Sequence, residues 1–113
     1  MNTIDWKDYT NAELNQAELA RQSGNEGRAR VCARRAAGHI IEEYHRRNGT
    51  ESHGESAYSH IQHLASQSDL SDRIREILER LMLRVTPEHN LPVEADLISD
   101  VRMLAKELIS EEL

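Results

Sequence analysis

Arg84 and His89 stand five positions apart in the stretch Arg84-Val85-Thr86-Pro87-Glu88-His89, and such a pair can cleave RNA without a metal. An imidazole exchanges protons near neutral pH, with an unperturbed pKa of about 6.5, so it serves as general acid or base. A guanidinium holds a phosphate by paired hydrogen bonds and stabilises charge on a pentacoordinate transition state. The spacing alone is a weak signal. Arg47 and His53, with five residues between them, come close to repeating it, as chance allows in a chain with 6 histidines.

Anion binding is the second chemistry the residues suggest. The net charge is −6, yet residues 28–47 carry six arginines against only Glu42 and Glu43. Arg28, Arg34, Arg35 and Arg46 are the candidate contacts for a nucleotide or nucleic acid. The plainer reading is a solvated helix face that pairs with acidic neighbouring helices. Net acidity counts against strong non-specific binding of a polyanion, which needs many uncompensated cations.

Metal and thiol chemistry have less behind them. His60 and His63 lie three apart and can share a helix face, but zinc catalysis usually takes three protein ligands. Nothing marks a third, although His53, Glu55 or Glu94 could fold nearby. CxxC and HExxH patterns are absent, so neither a metal nor a cofactor is expected. Cys32 sits mid-helix beside arginines, and a small buried thiol is expected there rather than a nucleophile. One cysteine cannot form an internal disulfide, which reads as cytoplasmic. The start of the chain, Met1 to Thr10, is polar with mixed charge and does not read as a signal peptide. Apolar runs are too short for a membrane span.

These residues need elements to position them, and the pattern throughout is helical. Phe is absent, Gly and Pro together number seven, and strict apolar–polar alternation is hard to find. Thr10-Asn11-Ala12-Glu13 has capping-box form and predicts a first helix to about Gln22, with Leu14, Ala17 and either Ala20 or the stem of Arg21 inward. Ser23-Gly24-Asn25 breaks it. Ala29, Ala33, Ala36, Ala37, Ile40 and Tyr44 make the stripe of a second helix, small enough for close approach. Asn48-Gly49 supplies its left-handed stop.

Ser52-His53-Gly54-Glu55 reads as the cap of a third helix carrying Tyr58, Ile61, Leu64 and Ala65. Ile74, Ile77, Leu78, Leu81 and Val85 form the stripe of a fourth. Thr86 to Pro92 must connect, and Pro92 suits the first turn of a last helix with Leu97, Val101, Leu104, Ala105 and Leu108 inward. The expectation is an all-α fold: a single domain over residues 1–113, built as an up-and-down antiparallel bundle of four to five helices.

The run from Ala17 through Gly24, Ala29, Ala33 and Ala37 to Tyr44 and Asn48-Gly49 resembles the opening helix pair of HEPN domains (higher eukaryotes and prokaryotes nucleotide-binding). His60 or His63 before Leu64 matches that family's third helix, and Arg84 its fourth-helix arginine. The resemblance covers about residues 12–109. It implies a homodimer, binding of a nucleotide or RNA, and in some members a partner nucleotidyltransferase or antitoxin chain. In the RNase members, some of them toxins, an arginine and a histidine four to six residues apart share a cleft at the dimer interface. Arg84 and His89 fit that spacing. They depart from the pattern in that Val85 follows the arginine, where a polar residue is usual, and Pro87 interrupts any helix between them. Three readings remain: a binding module for nucleotide, nucleic acid or partner protein; a metal-independent RNase; and a structural or assembly protein.

Overall fold

The computed structural model describes residues 5–50, 56–83 and 96–113. Five helices follow in order: α1 (Trp6–Gln22), α2 (Glu26–Arg47), α3 (Ala57–Ala65), α4 (Asp72–Met82) and α5 (Leu97–Ile109). No strand occurs among the described residues. The expected all-helical bundle is the observed one. α2 is its centre, packed against α1, α3 and α5, while α4 closes the bundle against α3 and α5.

The predicted stripes supply most of the core. Leu14, Ala17 and Ala20 of α1, and Ala29, Ala33, Ala36, Ala37 and Ile40 of α2, are buried. So are Ile61 and Leu64 of α3, Ile74, Ile77, Leu78 and Leu81 of α4, and Leu97, Val101, Leu104 and Ala105 of α5. Cys32 is buried as well, at 1% exposure. Tyr44, Ala65 and Leu108 lie half-buried at the margin. Gly24 and Gly49 both take positive φ, at 79° and 68°, where a side chain would be strained.

Helix ends depart from expectation. α1 begins at Trp6, not at Thr10: Asp5 is the N-cap, accepting from the Asp8 backbone N–H while Asp8 accepts from that of Asp5. Thr10 is instead fully buried and donates to the Trp6 carbonyl at 2.6 Å. An aspartate pair performs the reciprocal capping that the Thr10–Glu13 spacing suggested. α3 is capped by Ser56, and the Ser52–Glu55 box falls outside the described residues. α4 runs to Met82, and Val85 falls outside the described residues. α5 starts at Leu97, capped by Asp96, and Pro92 falls outside the described residues.

Two of these ends are finished by arginines from other helices. Arg34 of α2 donates to the carbonyls of Leu81 at 2.8 Å and Leu83 at 2.5 Å. Arg75 of α4 donates to those of Ala65 and Gln67 beyond α3. Terminal carbonyls have no intrahelical partner, so these guanidiniums both cap a helix and fix its neighbour.

Candidate functional site

One face of α2 is a groove. Val31, Arg34, Arg35, Gly38, His39, Glu42 and Arg46 recur at spacings of three and four, so they share that face. Its first half is a cleft of about 530 Å³ walled by Glu13 of α1 and by Ser56, Ala57, Tyr58 and His60 at the start of α3. A second cleft, about 460 Å³, continues past Trp6 and Tyr9 of α1 to Glu43, Arg46 and Thr50. His39 and Glu42 line both, so the two clefts adjoin.

Gly38 sets how narrow the first half is. A Cβ there would lie 3.2 Å from the Ala57 Cβ and 3.3 Å from its Cα, so α3 crosses directly against the α2 backbone. Alongside that contact, His60 Nε2 is 3.1 Å from a Glu42 carboxylate oxygen. His60 is buried, and Glu42 is about half exposed. Deeper in the same seam, the rings of His45 and His63 lie 5.6 Å apart, and His45 Nδ1 is 3.0 Å from Thr50 Oγ1. Tyr58 donates its hydroxyl to the Met82 carbonyl at 3.4 Å, joining Arg34 in holding the end of α4.

The four arginines read as binding candidates have different fates. Arg35 is exposed on the groove and makes no ion pair among the described residues. Arg34 lines the same cleft but binds α4 carbonyls. Arg46 lines the second cleft, bonded to both oxygens of Glu43 at 2.7 and 2.5 Å yet 71% exposed. Arg28 lies two turns further toward the start of α2, exposed and outside both linings. The groove thus gathers three of the four.

Carboxylates share the groove, and most are engaged. Glu43 is 5% exposed, and the Arg46 hydrogen bonds, opposed by burial and joined by Arg47, hold its pKa down to about 2. Glu42 meets His60, while Glu13 has no ion pair among the described residues. Above the second cleft Tyr9, 49% exposed, stacks on His39 with centroids 5.5 Å apart and planes 24° from parallel. The groove therefore offers a guanidinium, exposed aromatic faces and a histidine, a combination that suits a ligand with both phosphate and planar ring.

Arg84 and His89 lie outside the described residues, as do His53, Glu55 and Glu94. Among the described residues, no group of three or more His, Cys, Asp or Glu is arranged to hold a metal. No described helix is long and apolar enough to cross a membrane. Sequence reading missed the buried positions of Glu43, His45 and His60, since charge and imidazole normally signal surface. The i,i+3 and i,i+4 spacing from Glu43 to Arg46 and Arg47 was the available sign. Comparison with known proteins adds no relative: no family model, no curated protein and no solved structure matches this chain.

Proposed function

We propose that this chain is a HEPN-like binding module that takes a phosphate-bearing ligand, a nucleotide or nucleic acid, in the groove along α2. Arg35 carries the reading. It is an exposed guanidinium in a cleft lined also by His39, His60 and Tyr58, with its charge uncommitted among the described residues. Guanidinium pairs bidentately with phosphate, and such charge-assisted bonds are about twice as strong as neutral ones. The mixed lining and the net charge of −6 favour a ligand held at few phosphates over a long duplex. HEPN-like character rests on the sequence pattern, which also carries the homodimer, the partner transferase or antitoxin chain and the cytoplasmic setting as parts of the proposal.

Calorimetric titration with nucleoside mono-, di- and triphosphates tests it. Wild type binds, and Arg35→Glu weakens binding by about tenfold or more, the loss expected for one charged hydrogen-bond pair. Equal affinity in wild type and variant, or no binding by wild type, removes the proposal.

The RNase reading rests on the spacing of Arg84 and His89 in the sequence. That reading expects RNA cleavage in the presence of a chelator, lost in His89→Ala; RNA left intact across a range of pH ends it.

A further inference from the structure

The geometry points to single-stranded nucleic acid as the ligand class, with the stacked Tyr9–His39 pair as a base platform. This rests on the phosphate-binding reading of the same groove and extends it. Arg35 and Arg46 are eleven residues apart, three helical turns, so they project from one side of α2 about 16 Å from each other. Between them lie His39 and Glu42, shared by both clefts. A groove with guanidiniums at both ends and rings between is longer than one nucleotide needs.

The platform itself is an unusual feature for an exposed surface. Tyr9 is half exposed although its ring stacks within 24° of parallel on His39, so it retains surface that a third ring could cover. Trp6 lines the same cleft, with Arg47 5.7 Å and Lys7 5.9 Å from its ring centroid. Cations interleaved with aromatic rings are the features that bind unpaired bases, whose faces are open; a duplex buries those faces. Glu43 is engaged by Arg46 and Arg47, whereas Glu13 and the half-exposed Glu42, which meets only the His60 imidazole, are the carboxylates that a backbone phosphate must avoid.

Trp6 is the sole tryptophan of the chain, so its fluorescence reports on this groove directly. Ribo-oligonucleotides of one, two and four residues are titrated, with a duplex as comparison. Affinity rises from mono- to tetranucleotide, and the duplex binds more weakly than the strand. Tyr9→Ala lowers tetranucleotide affinity by about 5- to 100-fold, the range for losing one stacked base, while Tyr9→Phe retains it. Mononucleotide binding at Arg35 survives Tyr9→Ala. Flat length dependence, an equally bound duplex, or an unchanged Tyr9→Ala overturns the platform even if Arg35→Glu abolishes nucleotide binding. If wild type binds no nucleotide of any length, both readings fall together.

Discussion

Glu43 is where residue chemistry departs furthest from a surface helix. Its side chain is 5% exposed, yet Arg46 and Arg47 reach it from one turn further along α2. Arg47 continues to Glu111 beyond α5, and Lys7 of α1 meets Glu111 at 3.0 Å. One carboxylate thus anchors arginines that tie the start of α1 and the residues after α5 to the end of α2. With the Glu43 pKa held down to about 2, its contribution to stability is complete above the ordinary value of 4.5. It is lost as pH falls from about 4.5 through about 2, because the unfolded chain takes up the proton first. Glu43→Gln should cost about 1–3 kcal/mol at neutral pH, as expected for hydrogen bonds to a charged group. It should also flatten the acid limb of stability against pH. Urea denaturation from pH 7 to pH 2.5 measures both; parallel curves for wild type and variant would contradict the assignment.

The helices themselves were legible from periodicity because a stripe at spacings of three and four has few other solutions. Leu14, Ala33, Ile61, Leu78 and Leu104 are buried where their spacing put them. Helix ends were less legible. Asp5 and Asp8 compete with Thr10 and Glu13 for the same motif, and only the packing of Trp6 against the core extends α1 to the earlier pair. The groove was half legible: a basic second helix was visible, but which arginine is spent on a carbonyl depends on where α4 ends. Gly38 shows the same dependence. In sequence it is a weak spot in a helix, costing about 1 kcal/mol relative to alanine. In the bundle it is where Ala57 of α3 comes against the α2 backbone. Gly38→Ala should therefore destabilise by about 0.5–2 kcal/mol, overpacking outweighing the propensity gain. The contact is helix against helix, so relief requires moving α3 and its Tyr58 and His60 away from the cleft. A stabilised Gly38→Ala in thermal unfolding would mean that α3 sits further out.

At the scale of the whole molecule, α2 packs against α1, α3 and α5, so its inner face is exposed only when the bundle opens. Cys32 lies on that face at 1% exposure, among Leu14, Ala17 and the residues of α5 that form one continuous core. Local fraying at the ends of α1 or α5 leaves it covered. Its reaction with a thiol reagent should therefore be slowed in the native protein by on the order of 1,000-fold or more relative to the unfolded chain, as expected for small-domain stabilities. Labelling should rise with urea along the same curve as loss of helical circular dichroism. The opposite result is equally informative. Rapid labelling of a fully helical protein would place α1 as a separately opening flap over α2, and would move Tyr9 and Trp6 from a fixed wall of the groove to a mobile one. Coincident curves instead make the groove a rigid feature of the bundle, with its arginines and rings held in register before any ligand arrives.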